Sequence, residues 1–219
     1  MTFDDREQAG QALALRLEFL RARNPLVLGL PRGGVVVAAA IARALRAPLD
    51  VLLVRKIGLP DAPELALAAI GENGVLVGNP GVIRYVQPDP VVLRGVIDRE
   101  RAVLAQRAAL YRSVREQVPV AGRSVLVADD GIATGATMRA AIRVLEVRGA
   151  AHIVVAVPVA APDALRALSG TVDRVVCLRA PRRLRAVSRW YGEFHEVADD
   201  EVVALLRAAT QPLSTVEGT

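Results

Sequence analysis

The 219-residue sequence predicts an α/β fold, a central parallel β-sheet flanked by helices. Three observations predict it. Short apolar runs at 26–30, 49–54, 125–128 and 152–157 read as strands buried on both faces, not as alternating half-buried ones. Helical patterns (35–45, then 138–145) stand between them. The composition, 53% hydrophobic but 3% aromatic and dominated by alanine and valine, suits layers packed through small side chains. The length fits a single domain over 1–210 with a disordered tail at 211–219.

Residues 4–22 form an amphipathic helix capped near Asp4 or Asp5, with Ala9, Leu13, Leu17 and Leu20 on one face. It carries no visible chemistry and is expected to pack on the sheet edge. Residues 26–34 give the first strand and a loop, Pro31-Arg32-Gly33-Gly34, before a helix from Val35 to Leu45. The paired glycines permit close approach to a ligand, and Arg32 offers a forked cation suited to phosphate oxygens. By itself this is also an ordinary tight turn. Residues 49–55 give the next strand, ending at Arg55 and Lys56, where open α/β sheets place their ligands. Lys56 is the one lysine among 28 basic residues, which marks its position as one that wants a compact ammonium. A loop rich in glycine and proline through residue 63 follows. Residues 65–78 read as two short strands joined at Glu72-Asn73-Gly74, a hairpin signal. Glu64 and Glu72 are read as structural.

Residues 88–117 form a long charged helix starting near Pro90, on which Arg94, Arg99, Arg101 and Arg107 alternate with Asp98 and Glu100. That alternation reads as a solvated or interface face. Further on, His152–Val157 and Val172–Leu178 are strands, with a short helix over Pro162–Leu168 between them; His152 and Cys177 are structural.

The richest stretch is 125–137, Val-Leu-Val-Ala-Asp-Asp-Gly-Ile-Ala-Thr-Gly-Ala-Thr. A buried strand ends in the carboxylates Asp129 and Asp130. A loop of small and hydroxyl residues, Gly131 to Thr137, then opens a helix. Such a loop can close its N–H groups and the hydroxyls of Thr134 and Thr137 on an anion, aided by the helix dipole. Carboxylates do not hold phosphate, so the acidic pair must face a diol, a metal ion or a developing cation. Ribose 5-phosphate meets both demands. The sequence carries neither the Gly-Lys-Ser/Thr of a Walker loop nor the dinucleotide fingerprint G-x-G-x-x-G.

This stretch resembles the phosphoribosyl-diphosphate (PRPP) binding motif of the type I phosphoribosyltransferases, and the chain resembles a bacterial group of that family with no assigned substrate. The resemblance implies that Asp129 and Asp130 bind the ribose hydroxyls. It implies that the loop of Gly131, Ile132, Ala133, Thr134, Gly135, Ala136 and Thr137 binds ribose and 5′-phosphate. Pyrophosphate would fall to Arg32, Gly33 and Gly34, in a loop that often holds a non-proline cis peptide, together with Arg55 and Lys56. The catalytic set would be Arg32, Lys56, Asp129 and Asp130. Mg²⁺ is the implied cofactor, held mainly by PRPP and through water to Asp129 and Asp130, with no direct protein ligand. Residues 88–117 resemble a helical insertion of that group. Residues 180–198 would form a small hood over the base. Within it, Trp190 and Tyr191 are either a stacking platform for a flat ring or a satellite core that anchors the last helix. Ala133 stands where family members acting on 6-oxopurines carry Asp, which points to another base.

The net charge of +5 raises nucleic-acid binding, but the basic residues are dispersed and aromatics are scarce. A phosphate-rich small ligand accounts for the same excess. No apolar run reaches spanning length, because Arg43 interrupts the longest, and Met1–Asp5 is not a secretory signal. With a lone cysteine no internal disulfide can form, so a cytoplasmic protein is expected, with room for a homo-oligomer. Three functions fit the sequence: a transferase using PRPP and a base, a regulator that senses PRPP or a nucleotide on the same fold without turnover, or a phosphorylase-like enzyme with inorganic phosphate in place of pyrophosphate.

Overall fold

The structure is a computed structural model and describes residues 2–58 and 66–210. The Gly/Pro loop, Glu64 and the C-terminal tail therefore lie wholly or partly outside the described residues. The elements run α1 (Arg6–Leu17), β1 (Leu26–Gly29), α2 (Gly33–Leu45), β2 (Leu49–Val51), β3 (Val54–Ile57), β4 (Ala68–Gly71), β5 (Leu76–Gly78), α3 (Pro80–Val86), α4 (Pro90–Arg112), β6 (Ser124–Ala128), α5 (Ala136–Val147), β7 (His152–Val159), α6 (Pro162–Ser169), β8 (Arg174–Arg179) and α7 (Asp199–Thr210). Asp5 caps α1, its carboxylate accepting from Gln8 N at 2.8 Å. The expected helix over 4–22 is thus shorter, continuing past Leu17 only as a 3-10 segment over Glu18–Arg23.

The main sheet has the order β2-β1-β6-β7-β8 with every pairing parallel. Its strands are buried on both faces, and alternate residues divide between two cores. Leu126 and Ala128 face α1, α2 and α7 through Leu13, Leu17, Ile41 and Leu206. Val125 and Val127 face α5 and α6 through Met138, Ile142, Leu145 and Leu168. Each such fully buried leucine or isoleucine contributes about 1.5–3 kcal/mol of burial free energy. The predicted parallel α/β sheet is present as a three-layer sandwich.

Strand order reverses between neighbours β1 and β6: the chain proceeds outward to β2 on one side and through β7 and β8 on the other. Such a switch point leaves a crevice at the carboxyl ends of the two strands, where ligands bind. Both candidate loops begin there. Leu30 N donates to Ala128 O at 3.0 Å, which ties the start of one loop to the start of the other.

The single strand expected over 49–55 is a correction. The chain leaves the main sheet after Val51 and re-pairs from Val54 in a second, antiparallel sheet of order β3-β4-β5. Continuous apolar character from Leu49 to Val54 hid the break, because Leu52 and Leu53 are buried as fully as the strand residues. The hairpin at 68–78 forms as expected, with Asn73 in the left-handed conformation at φ 61°.

The long helix α4 docks through a buried ionic cluster. Arg112 makes bidentate bonds to Glu72 (2.7 and 2.8 Å) and a further one to Asp50 (2.7 Å). Asp50, 1% exposed, also accepts from Val118 N at 2.9 Å. Tyr111, one residue earlier, is fully buried and donates to Asp199 at the start of α7. Among the described residues no helix is long and apolar enough to cross a membrane.

Candidate active site

The acidic pair sits just past the end of β6. Asp129 Oδ1 accepts from Asp130 N at 2.9 Å. Burial pushes the Asp129 carboxyl well above the ordinary carboxylate range, and the adjacent Asp130 charge adds to the effect. Burial raises Asp130 as well, opposed by the guanidinium of Arg6. Arg6 Nε donates to Asp130 Oδ2 at 2.9 Å, and its Nη1 donates to the backbone carbonyl of His195 at the same distance. The Arg6 guanidinium also lies over the Phe194 ring, 3.8 Å from its centroid.

α1 therefore reaches the site, correcting the reading of this helix as functionally silent. Sequence reasoning missed Arg6 because its partner lies in a distant loop. The available signal was a charged residue on the helix face that carries Ala9 and Leu13, where a solvated arginine does not belong.

After the acidic pair, Ile132 N donates to Val159 O and Ala161 N donates to Ile132 O, both at 2.9 Å, pinning the loop to β7. The Ile132 side chain is buried in the core, so this residue holds the loop in place and does not offer a side chain to a ligand. Gly135 adopts φ 73° at the N-cap of α5, a left-handed turn that favours glycine. Arg139 Nη1 donates to Thr134 O at 2.9 Å from the next turn. The result is a hollow of about 170 Å³ lined by Asp129 and Gly131 through Met138. Ala133, Thr134 and Thr137 are exposed at its surface.

The loop after β1 lies directly against the acidic pair. The Pro31–Arg32 peptide is cis, as the resemblance implied. A Cβ on Gly33 would overlap Asp130 Oδ2, and one on Gly34 would come within 2.9 Å of Asp129 Oδ1. The two glycines are thus required by contact between the loops themselves. Their N–H groups also begin α2, whose first turn leaves such donors without intrahelical partners. Arg32 pairs with Glu196 in the C-terminal segment.

Arg55 and Lys56 line a second cavity, of about 370 Å³, with Pro31, Leu53, Glu100, Arg107 and Thr137. Arg55 Nε is bonded to Glu100 Oε2 of α4. Glu100 and Arg107 were expected on a solvated or interface face; both are half-buried against the cavity, whereas Arg94, Asp98, Arg99 and Arg101 are exposed. Thr137 borders both cavities, so the loop hollow and the β3–α4 cavity are neighbours.

In the C-terminal segment Tyr191 is 6% exposed, with its ring centroid 5.7 Å from that of Phe3 and 5.1 Å from that of Phe194. Its hydroxyl donates to Asp130 O at 2.5 Å. Burial and the neighbouring Asp130 charge raise the phenol, keeping it a donor. The stacking platform is corrected for Tyr191, whose ring is buried among Phe3, Ala9 and Phe194: it belongs to a satellite core. Trp190 packs at the edge of the same cluster.

A family model described as "Phosphoribosyl transferase domain" matches residues 5–187. The chain belongs to this family. A Mycobacterium tuberculosis H37Rv protein whose name assigns it provisionally to the phosphoribosyl transferases is 47% identical over 207 residues, 94% of this chain and 47% of that one. The chain thus spans about half the length of the curated relatives it matches. The crystal structure of TT1426 from Thermus thermophilus superimposes with a TM-score of 0.89 at 48% identity, covering 95% of this chain and 99% of that one. A partial match, 35% identical over 108 residues, is the uracil phosphoribosyltransferase of Streptomyces griseus, covering 48% of this chain and 49% of that one. The phosphoribosyl transferase match ends at residue 187, so Tyr191, Phe194 and His195, which contact the acidic pair or its arginine, lie beyond it.

Proposed function

We propose that the protein transfers the 5-phosphoribosyl group of PRPP to a nitrogen of a nucleobase other than a 6-oxopurine, releasing pyrophosphate. One observation carries the reading. Two carboxylates stand at the switch point between an anion hollow at the start of α5 and a glycine loop at the start of α2, with the only lysine at a cavity sharing Thr137. That order matches PRPP from its 5′-phosphate, through its diol, to its diphosphate. Ala133 supports a base outside the 6-oxopurines, and the partial relative is named for uracil.

In this reading the 5′-phosphate rests on residues 133–137, with hydroxyls from Thr134 and Thr137 and backbone N–H groups at the start of α5. Asp129 and Asp130 accept from the ribose hydroxyls and favour positive charge as it develops on the ring. The bond from C1 to the diphosphate oxygen breaks and its electron pair leaves with pyrophosphate. The acceptor nitrogen forms the new bond to C1, and its proton passes to water. Arg32, Lys56 and the N–H groups of the Gly33-Gly34 turn stabilise the leaving charge, with Arg55 beside them. Mg²⁺ brought by PRPP would supply further neutralisation of the diphosphate. The carboxylates of Asp129 and Asp130, hard oxygen donors, suit its water shell. Removing one charged contact should lower the rate by about 10²–10³.

The test is pyrophosphate release from PRPP and Mg²⁺ across a panel of purine, pyrimidine and other heterocyclic bases, with Asp129→Asn/Asp130→Asn as control. Release with one base, lost in the control, supports the transferase. Protection by PRPP against heating, with no base causing release, moves the reading to a protein that senses PRPP without turnover. Absence of PRPP binding overturns it.

A further inference from the structure

We infer that helix α4 is a wall of the diphosphate site and that Arg107 binds phosphate oxygens there, with Glu100 setting the affinity. The inference rests on the transferase reading and assigns residues from the inserted helix that the motif loops do not supply.

Val96, Glu100, Leu104, Arg107 and Tyr111 follow one another at steps of three and four, so they share one face of α4. Val96, Leu104 and Tyr111 are buried, as the inner face of an amphipathic helix should be. Glu100 and Arg107 interrupt that face with charge. The interruption falls where the helix borders the β3–α4 cavity, whose lining includes both residues together with Arg55 and Lys56. Among the described residues of the lining, three cations and one carboxylate stand beside the apolar side chains of Leu53, Val54, Val96 and Leu104.

The two charges on the helix differ. Glu100 is engaged by Arg55. Half-buried Arg107 makes no hydrogen bond or ion pair with any described residue. A guanidinium at the cavity wall, not engaged by a described carboxylate, is available to an anion that enters the cavity. Pro31 and Thr137 border the same cavity, which connects it to the glycine loop and to the 5′-phosphate hollow. The anion that fits is the polyanionic end of a ligand already seated across those two loops. Glu100 occupies the Arg55 fork and repels such an anion, which tempers the affinity so that a released diphosphate can depart.

The test titrates inorganic pyrophosphate and, separately, ribose 5-phosphate into the whole protein by calorimetry, with no base present. Arg107→Gln should weaken pyrophosphate by about 10- to 100-fold, the loss of one charge-assisted contact. It should leave ribose 5-phosphate within about 2-fold, because that ligand reports the 129–137 loop. Glu100→Gln should tighten pyrophosphate by about 2- to 5-fold, the scale of a partly exposed ion pair. Arg107→Lys, which keeps the charge but not the fork, should fall between wild type and Arg107→Gln. Unchanged pyrophosphate binding in Arg107→Gln, with ribose 5-phosphate still bound, overturns the role of α4 and leaves the transferase reading standing. Weaker binding in Glu100→Gln overturns the tempering role. Failure of the wild-type protein to bind either probe overturns the transferase reading itself and this inference with it.

Discussion

Arg6 Nε donates to Asp130 Oδ2 at 2.9 Å, with side-chain exposures of 7% and 18%. A helix at one end of the sequence thus supplies the counter-charge for the acidic pair, and the His195 carbonyl and Phe194 ring hold that arginine in place. Removing Arg6 leaves a largely buried carboxylate without its cation. Arg6→Ala should lower stability by about 3–5 kcal/mol, measured by urea denaturation. In the Arg6→Ala/Asp130→Asn double variant most of that loss should be recovered, because the stranded charge is gone. Additive losses would show that the pair is not coupled.

Asp129 gives the opposite sign. Its carboxyl is raised in the folded protein, first by burial and then by Asp130. The native state therefore binds more protons than the unfolded one above the unfolded carboxyl value. Its contribution to stability falls as pH rises from that value through the raised native one. Asp129→Asn keeps an oxygen for the Asp130 N–H and removes the charge. At neutral pH it should raise Tm by about 2–4 °C, the shift of one kcal/mol at this length. PRPP-dependent release should be lost in the same protein, a site strained for function and relieved by its removal. A lower Tm across the neutral range would refute the sign.

Gly33 has its Cβ position already filled by Asp130 Oδ2. Gly33→Ala should force the two loops apart. Ribose 5-phosphate affinity should fall by at least about 10-fold, since a displacement of this order misplaces the groups that grip it. Far-UV circular dichroism should be unchanged, because the sheet does not depend on this contact.

Arg112 bridges Asp50 and Glu72, which are 1% and 6% exposed. Arg112→Ala should cost about 3–5 kcal/mol. Arg112→Lys should not restore it, because an ammonium cannot serve the bidentate bond to Glu72 and the bond to Asp50 together. Hydrogen exchange should locate the loosening in the last turns of α4.

Tyr191→Phe removes the hydroxyl that donates to Asp130 O but keeps the ring between Phe3 and Phe194. It should cost about 0.5–1.5 kcal/mol and leave the KM of the acceptor base unchanged. A large rise in that KM would restore Tyr191 to the base-binding role that its burial argues against.

The order strand, acidic pair, small-residue loop, helix from Val125 to Val147 was legible because each part is written in consecutive residues. So were the 68–78 hairpin and the start of α4 near Pro90, which follow from turn chemistry and period, although the helix expected to reach residue 117 ends at Arg112. Harder to see were contacts between distant segments. Arg6 has no local feature that names Asp130 as its partner. Glu100 and Arg107 read as one more pair in a charged helix until Val96, Leu104 and Tyr111 show which face is inner. The departure of the chain from the main sheet after Val51 was masked because Leu52 and Leu53, which link the two sheets, are apolar and buried like strand residues. Tyr191 carries an aromatic signal that fits a stacking surface and a satellite core equally, and its burial against Phe3 and Phe194 decides between them.

Phe3 N donates to Trp190 O, and Gly192 and Glu193 return bonds to the carbonyls of Phe3 and Asp4, at 2.7–2.8 Å. This short ladder sets the timetable of the site. During synthesis the five parallel strands are all available once Arg179 has emerged, and a chain folding from its N-terminal side can close the sheet at that stage. Phe3, Arg6 and the acidic pair are then in hand, but Tyr191, Phe194 and the His195 carbonyl are not. The geometry around Asp130 is completed only as residues 190–195 arrive, so a nascent chain with a finished sheet is still an unfinished binding site.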